Sequence, residues 1–284
     1  MLVSVIVPSY QQGIYIGDAI ASLLEQRNEI EIFVYDSNSN DDTPKILTKF
    51  SDKISVIIED DLGQAHAINK GLKECKGDVL CYLNSDDVLL PNALETVVEC
   101  FENNANLDLL YGNAHYIDHT GSIIGDYRTN PWKAKRFYGE CFICQPSAFW
   151  SRRVMNKIGL FDQKLQCSLD YDYWLRIIES GGRVLYIDEF LSCSRDYPQT
   201  KTRSLRGRVF RENFIISLRR LGRIDASWIS QYLDYWKYER KLFFSSWIPS
   251  PSPRRELFAK IASWISPLFA RDVFYTRKQN HIII

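Results

Sequence analysis

The sequence predicts an α/β fold in which a mostly parallel central sheet is flanked by helices and followed by a helical C-terminal extension. Apolar strand-like runs alternate with amphipathic helical patterns through the first hundred residues, which is typical of a parallel sheet covered on both faces. Polar clusters follow these runs directly, at the sheet edge where such folds bind ligands. The chain has 284 residues with 35 basic and 35 acidic side chains, but from residue 208 onward 14 Lys and Arg face only 6 Asp and Glu.

Strand and helix patterns alternate regularly at the start of the chain. Short apolar runs predict strands at 3–8, 31–36, 54–60 and 78–83. Apolar residues at helical spacing predict helices at 14–27, after Thr43, at 63–75 and at 91–104. Pro44 and Pro91 stand where a helix begins, a position that proline favours.

The middle of the chain changes character, and its end is basic. We expect strands at 107–113, 114–118 and 122–128, a helix at 169–182 and a closing strand at 183–188. Residues 1–205 are therefore predicted as the main domain, and residues 206–284 as a basic helical extension. In the extension, 257–269 places apolar and aromatic side chains on one helical face flanked by cations.

Three contacts of that amphipathic face remain open from the sequence. A cationic amphipathic helix with Trp and Phe can lie on an anionic membrane surface, pack on its own domain or form a dimer. The basic residues stand in no nucleic-acid-binding motif, so no nucleic-acid partner is predicted.

Several absent motifs limit the function and the location. No glycine-rich dinucleotide fingerprint or P-loop follows a strand, and no apolar run reaches 18 residues. The first residues lack the basic region of a signal peptide, and the seven cysteines are expected to be reduced thiols. The CxxC at 141–144 has no second pair at zinc spacing. We expect a cytoplasmic protein, with peripheral contact at the inner face of the membrane as a further expectation.

Asp86 and Asp87 form an acidic pair just after the strand at 78–83. Two like charges about 4 Å apart cost on the order of 4 kcal/mol at an effective dielectric constant near 20, and a divalent cation reverses that sign. Carboxylates together with substrate phosphates are typical ligands of Mg²⁺ and Mn²⁺. The residues alone leave another interpretation open, in which Asp86 caps the next helix and Asp87 is solvated.

Several ordered segments together resemble glycosyltransferase family 2, the inverting nucleotide-sugar transferases with the GT-A fold. They are 3–26, 30–43, 63–87, 141–153, 159–165 and 169–177. The resemblance extends to about residue 205 and implies a GT-A fold for the main domain.

The resemblance implies a donor site at the strand ends. Asp36 matches the acid that accepts the ring N–H of the base, usually uracil, so a UDP-sugar is the expected donor. The nucleotide-binding set that it implies is Pro8, Ser9, Tyr10, Asp36, Gln64, Asn69, Asn84 and Ser85.

The resemblance also implies a metal site for Mn²⁺ or Mg²⁺. Asp86 matches the second acid of the DXD signature, the metal ligand beside the diphosphate, and Asp87 would support it or contact the donor. Asn84 stands where the family usually has the first acid, so we expect the ion to arrive with the donor diphosphate. Tyr197 stands where many relatives have a histidine that completes the metal site.

Catalytic and acceptor roles are implied further along the chain. Asp170 matches the catalytic base, with Asp172 as the alternative on the acceptor side. Gln145 belongs to a QP segment that borders the acceptor, or else lies in a β-bulge. Arg195 and Lys201 are expected to help neutralise the phosphates.

Taken together, the resemblance predicts an inverting, metal-dependent, hexosyltransferase-like enzyme. It would move a sugar from a nucleotide-diphosphate donor to a hydroxyl group of a glycan or lipid-linked acceptor in glycan or polysaccharide assembly. Asn84, Leu169 and Tyr197 depart from the family pattern and keep an alternative open, a non-catalytic nucleotide- or sugar-binding subunit of a glycan assembly complex. A nucleotidyltransferase is disfavoured because no glycine-rich phosphate loop lies near the first strand.

Overall fold

The structure is a computed structural model, in which residues 1–236 and 260–263 are described. Its strands are β1 (Val3–Ser9), β2 (Ile30–Asp36), β3 (Ser55–Ile58), β4 (Val79–Tyr82), β5 (Val88–Leu89), β6 (Leu107–Ile117), β7 (Ile123–Tyr127), β8 (Ala148–Ser151) and β9 (Arg183–Arg195). Its helices are α1 (Ile16–Leu24), α2 (Thr43–Thr48), α3 (Gln64–Glu74), α4 (Ala93–Asn103), α5 (Ala134–Phe137), α6 (Arg152–Ile158), α7 (Leu169–Glu179), α8 (Lys201–Ser204), α9 (Arg206–Leu221) and α10 (Ala226–Asp234). A 3₁₀ turn covers Gln145–Ser147.

The strands form one sheet in the order β3-β2-β1-β4-β8-β6-β9-β5, with β7 paired to β6. The β3-β2-β1-β4 half is parallel. Strands β4 and β6 run in the same direction because both pair antiparallel with β8, and β9 is parallel to β6. The carboxyl ends of β1, β2, β4, β6 and β9 therefore lie along one edge of the sheet. This architecture confirms the predicted α/β fold with helices after it.

Strand β1 is the centre of the parallel half because it is apolar on both faces. All seven of its residues are buried. Helix α3 packs closely on it at Gly71, where an added Cβ would lie 2.5 Å from a side-chain carbon of Ile6. A glycine is therefore required for this distance between helix and strand.

The structure differs from the sequence prediction mainly in the second half of the sheet. The strands predicted at 107–113 and 114–118 are one strand, β6, and the strand predicted at 183–188 continues to residue 195 as β9. Gly112 explains part of the difference, since a Cβ there would lie 2.7 Å from the carbonyl oxygen of Glu189. The glycine lets β6 and β9 pair through a register shift between Tyr111 and Asn113.

The chain divides by contacts into two compact units, one formed by residues 1–132 and 142–204 and the other by 133–141 and the residues from 205 onward. In the second unit, Trp228 Nε1 donates a hydrogen bond to the carbonyl oxygen of Tyr138 (3.1 Å). The division at 205/206 stays a prediction, and residues 133–141 group with the later residues.

Two predictions about the extension concern residues that lie mostly outside the described part of the chain. The amphipathic segment 257–269 lies outside them except for the helical residues 260–263. In the described part of the chain, no helix is long and apolar enough to cross a membrane.

Candidate active site

Asp36 ends β2 at the sheet edge and is almost fully buried, with 1% of its surface exposed. Its Oδ1 accepts hydrogen bonds from Ser9 Oγ (2.9 Å) and Ser39 Oγ (2.7 Å), and its Oδ2 accepts one from the Ser39 backbone N–H (2.9 Å). A carboxylate offers about four lone-pair sites, so these three donors leave room for one more. Asp36 is thus a buried acceptor that can still take one N–H donor.

The residues beside Asp36 border the same edge. Pro8 pairs with Tyr35 and Ser9 with Asp36 across the two parallel strands, and both Pro8 and Ser9 are buried. Tyr10 follows the strand and is 62% exposed, so its ring is accessible to a ligand.

Asn84 lies just after β4 and joins three other polar side chains. Its Nδ2 donates to Asp87 Oδ2 (3.0 Å) and to Gln145 Oε1 (3.1 Å). Its Oδ1 accepts from Gln64 Nε2 (2.6 Å). Both Asn84 N–H groups are therefore used within the protein, and only an Oδ1 lone pair is left for a ligand.

The two ends of this network lie on opposite sides of Asn84. Gln145 Nε2 donates to the carbonyl oxygen of Tyr82 (2.7 Å), and Lys201 Nζ donates to Gln64 Oε1 (2.7 Å). Ser85, the next residue after Asn84, is buried with 4% exposure.

Asp87 is the buried member of the acidic pair, with 3% of its surface exposed. Burial, and then the charge of Asp86, raise the pKa of Asp87 to about 7. The hydrogen bond from the Arg195 backbone N–H (2.8 Å) and those from Asn84 and Ser194 act in the opposite direction. Burial and the neighbouring carboxylate thus both disfavour the charged form of Asp87.

Asp86 is partly exposed and faces Tyr197. The Tyr197 hydroxyl donates to Asp86 Oδ2 (2.8 Å). Burial raises the pKa of Asp86, while the Tyr197 hydrogen bond and the charges of Arg195 and Lys201 act against that rise. Burial and the charge of Asp86 in turn raise the pKa of Tyr197, so its phenol stays protonated.

The acidic pair fits a metal ion whose coordination comes mostly from the phosphates of a bound donor and from water. Among residues 1–236 and 260–263, no three or more His, Cys, Asp or Glu side chains are grouped to hold a metal ion. Asp86 offers one partly exposed carboxylate, which suits Mg²⁺ or Mn²⁺ bound through one carboxylate, substrate phosphates and water. The raised pKa values of Asp86 and Asp87 point the same way, because a cation would relieve their repulsion.

Asp170 lies in the first turn of α7, where the helix dipole favours a negative charge. Its Oδ1 accepts from the Tyr171 backbone N–H (2.8 Å). Burial, and then the charges of Asp87 and Asp170, raise the pKa of the Cys144 thiol. The charges of both carboxylates therefore act on Cys144, the residue directly before Gln145.

Arg195 is nearly fully buried, and its guanidinium is held by four groups. Its Nε donates to the Asp86 carbonyl oxygen (2.9 Å) and its Nη1 to the Asp118 carbonyl oxygen (2.9 Å), while Nη2 lies 3.4 Å from Asp18 Oδ2. Its Cζ lies 4.4 Å from the ring centroid of Tyr15. These contacts tie the end of β9 to the acidic loop, so we propose no phosphate contact for Arg195.

Asn69 and Asp172 also have structural contacts. Asn69 is 2% exposed, and its amide both donates to and accepts from the backbone of Phe161, at 2.9 Å each. Asp172 is buried and pairs with Arg176, whose Nε lies 3.0 Å from Asp172 Oδ2. We therefore propose neither a donor contact for Asn69 nor an acceptor contact for Asp172.

Comparison with known proteins decides the family. The family model described as "Glycosyl transferase family 2" matches residues 4–159, more than half of the chain. This chain belongs to glycosyltransferase family 2. It is also 30% identical, over 67% of its length and 69% of the relative, to an uncharacterized glycosyltransferase of Methanocaldococcus jannaschii.

Solved structures show the GT-A fold of this family 2 glycosyltransferase. A fragment of S. aureus TarS in complex with UDP-GlcNAc matches with a TM-score of 0.65 and 18% identity, over 91% of this chain and 79% of that one. The mannosyltransferase PcManGT from Pyrobaculum calidifontis, in complex with GDP-Man and Mn²⁺, matches with a TM-score of 0.57 and 15% identity, over 99% of this chain and 76% of that one.

The sequence left three residues that interact with the candidate site unassigned. Ser39 binds Asp36 through its hydroxyl and its backbone N–H. Its spacing of three residues after a strand-end Asp, in a polar loop, is a turn signal that could have identified it. Tyr15 and Cys144 carry no such signal, because only tertiary packing brings them to Arg195 and Asp170.

We expect Asp172→Ala to destabilise the protein by about 3 kcal/mol, because it leaves the mostly buried guanidinium of Arg176 without its carboxylate. Urea unfolding would measure this loss. Asp52→Ala, in the exposed turn between α2 and β3, is the control and should change the free energy of unfolding by about 0.5 kcal/mol or less. Equal stability of the two variants would contradict the structural role of Asp172.

Proposed function

We propose that this glycosyltransferase is inverting and metal-assisted, and that it moves a sugar from a UDP-sugar to a hydroxyl group of a glycan or lipid-linked acceptor. The observation that carries the proposal is the grouping of acidic side chains at one sheet edge, where Asp36 ends β2 and Asp86 and Asp87 follow β4, the two strands that flank β1. A divalent cation and a diphosphate bound together would compensate this charge. A role in glycan or polysaccharide assembly is part of the proposal.

Asp36 is proposed to select the base of the donor. Its remaining lone-pair site can accept the ring N–H of uracil, and the exposed ring of Tyr10 lies at the same edge. Guanine also has a ring N–H, so Asp36 alone does not distinguish the two bases. TarS in complex with UDP-GlcNAc and PcManGT in complex with GDP-Man represent these two possibilities among the similar structures.

Asp86 is proposed to hold Mn²⁺ or Mg²⁺ with the donor diphosphate. When bound, such an ion neutralises the charge that develops on the departing diphosphate. Asp87 supports the loop through its hydrogen bonds to Asn84 and the Arg195 backbone. The Lys201 ammonium adds a positive charge near Asp86.

Asp170 is proposed as the general base. Its carboxylate takes the proton of the acceptor hydroxyl as the hydroxyl oxygen forms a bond to the anomeric carbon. The bond from that carbon to the diphosphate oxygen breaks, and the nucleoside diphosphate leaves with the bonding electrons. Attack opposite the leaving group inverts the anomeric configuration. Gln145, which contacts Asn84, borders the acceptor in this proposal.

We expect uridine nucleotides with Mn²⁺ to stabilise the protein more than guanosine, adenosine or thymidine nucleotides do. At a ligand concentration 100 times Kd the gain is about 2.7 kcal/mol, which corresponds to a rise in Tm of roughly 5–10 °C. A thermal-shift screen of UDP, GDP, ADP and dTDP in Mn²⁺ would measure it. Asp36→Ala should remove the advantage of UDP over ADP, whose base has no ring N–H to donate, whereas Asp52→Ala, in the exposed turn between α2 and β3, should keep it.

Each other outcome of the screen has a definite meaning. Stabilisation by GDP alone would indicate that the donor is a GDP-sugar and not a UDP-sugar. No stabilisation by any nucleotide would contradict the donor site. Stabilisation without metal-dependent hydrolysis of any nucleotide-sugar would favour the non-catalytic binding subunit, for which the Tyr197 hydroxyl on Asp86 is the supporting observation.

A membrane-surface contact, or dimerisation, through the extension stays a prediction. In the described part of the extension, Arg208, Arg211 and Arg219 are exposed at helical spacing on α9, and Arg208 pairs with Glu212. The apolar face at 257–269 lies mostly outside the described residues.

A further inference from the structure

Four side chains form a continuous hydrogen-bonded chain, which we call the amide chain, that ends on a backbone carbonyl. Lys201 donates to Gln64 (2.7 Å), Gln64 to Asn84 (2.6 Å), Asn84 to Gln145 (3.1 Å), and Gln145 to the Tyr82 carbonyl oxygen (2.7 Å). Its members come from α8, α3, the loop after β4 and the 3₁₀ turn, so it spans four separate segments of the fold.

The two ends determine the direction of every bond in the amide chain. An ammonium group can only donate, so Gln64 must turn its Oε1 toward Lys201 and its Nε2 toward Asn84. A backbone carbonyl can only accept, so Gln145 must turn its Nε2 toward Tyr82 and its Oε1 toward Asn84. Asn84 therefore meets a donor on one side and an acceptor on the other, and only a group with both capacities satisfies them.

Asp87 adds a third requirement at the same position. The second Asn84 N–H points to Asp87 Oδ2 at 3.0 Å. A carboxylate at position 84 would place one oxygen against Gln145 Oε1, which has no proton to give, and would face the carboxylate of Asp87. The acid that the family usually has at this position is therefore incompatible with the residues that surround position 84 in this chain.

We propose that Lys201 is a positioning residue that sets the direction of the amide chain, and that Asn84 is required as an amide for this reason. Lys201 acts through Gln64 and Asn84 on Gln145, and so links the donor side of the site to its acceptor side. The assignment of these two sides rests on the proposed function. The hydrogen-bond direction does not, because it follows from the two ends of the chain.

The first experiment compares Lys201→Gln with Lys201→Met by ¹⁵N–¹H spectra of the side-chain amides. In the unmodified protein the Asn84 side-chain N–H signals should exchange slowly with solvent, since both are donated to protein oxygens. Lys201→Met removes the terminal donor and should shift and broaden the signals of Gln64, Asn84 and Gln145. Lys201→Gln keeps a donor but no charge and should preserve most of the pattern.

The matched control is Arg203 on the same helix, which pairs with Asp196 at 2.5 Å. Arg203→Met and Arg203→Gln should both leave the three amide signals unchanged. Equal disturbance by Lys201→Gln and Lys201→Met would mean that the charge of Lys201 matters and not its donor direction, and would overturn the proposal. Unchanged signals in Lys201→Met would overturn it as well.

The second experiment tests Asn84 with a double substitution. Asn84→Asp should lower Tm by roughly 5 °C or more, because several hydrogen bonds are replaced by contacts between acceptors. Asn84→Asp with Asp87→Asn restores one donor between positions 84 and 87, but not the bond to Gln145. The double variant should therefore recover only part of the Tm loss that Asn84→Asp causes. Asp87→Asn alone is the reference for the effect of the second substitution.

A competing interpretation, in which Asn84 is a lost metal ligand, predicts the opposite result. It expects Asn84→Asp to keep its stability and to bind Mn²⁺ with UDP more tightly, and either outcome would overturn the proposal. If the unmodified protein binds no uridine nucleotide, the donor proposal fails. The amide spectra and the unfolding data still decide on the amide chain, so the two failures are distinguishable.

Discussion

Asp170→Asn is expected to reduce sugar transfer by about 10²–10⁴-fold while nucleotide binding stays intact. The amide cannot take a proton from the acceptor hydroxyl, so the proposed base is lost. The local structure should persist, because the Asn oxygen can still accept the hydrogen bond from the Tyr171 backbone N–H. The measurements are kcat for transfer, or for nucleotide-sugar hydrolysis, and the Kd of UDP with Mn²⁺ by calorimetry.

The position of Asp170 makes the result specific. It lies in the first turn of α7, and its charge acts on the thiol of Cys144, which directly precedes Gln145; this supports a role for the carboxylate on the proposed acceptor side. Glu179→Gln, at the far end of the same helix, is the control and should leave kcat unchanged. Retained transfer by Asp170→Asn would assign the base to another group. A parallel loss of UDP binding would show that the substitution disturbs the donor site.

Much of the fold could be predicted from the sequence because the parallel half of the sheet is made of continuous apolar runs. Both ends of β1, β2 and β4 lie within one residue of the predicted ends. The second half was harder, since β6 and β9 depend on pairing between segments about 75 residues apart. The two residues of β5 have no periodicity to detect, and they form a strand only against β9.

In the candidate site, too, the positions of residues at strand ends could be predicted, but their tertiary contacts could not. Asp36 and the Asn84–Asp87 segment could be placed together because carboxyl ends of parallel strands meet at one edge. The direction of individual side chains could not be predicted. Asn69 turns to the backbone of Phe161, 92 residues away, and Arg195 binds the carbonyl group of Asp86, 109 residues away. Such contacts depend on loop positions that only the folded chain defines.

The second large effect is expected at Asp86. Asp86→Ala should weaken UDP binding in Mn²⁺ by about 100-fold or more, and should change UDP binding in EDTA little. The alanine removes the only carboxylate that the site offers to a donor-bound ion in this proposal. In EDTA no ion links the diphosphate to position 86, so the base and ribose contacts alone determine the affinity. Calorimetric titration of UDP under both conditions would measure the two ratios.

Tyr197→Phe is the matched control, because it removes the hydrogen bond to Asp86 Oδ2 but keeps the carboxylate. If Tyr197 only orients Asp86, the loss of UDP affinity in Mn²⁺ should be smaller than for Asp86→Ala. If the hydroxyl competes with the ion for Oδ2, Tyr197→Phe should tighten UDP binding in Mn²⁺ and leave binding in EDTA unchanged. An equal loss for Asp86→Ala in Mn²⁺ and in EDTA would contradict a metal role. Asp86 would then contact the donor directly, and the buried negative charge at the strand edge would need a different counter-ion.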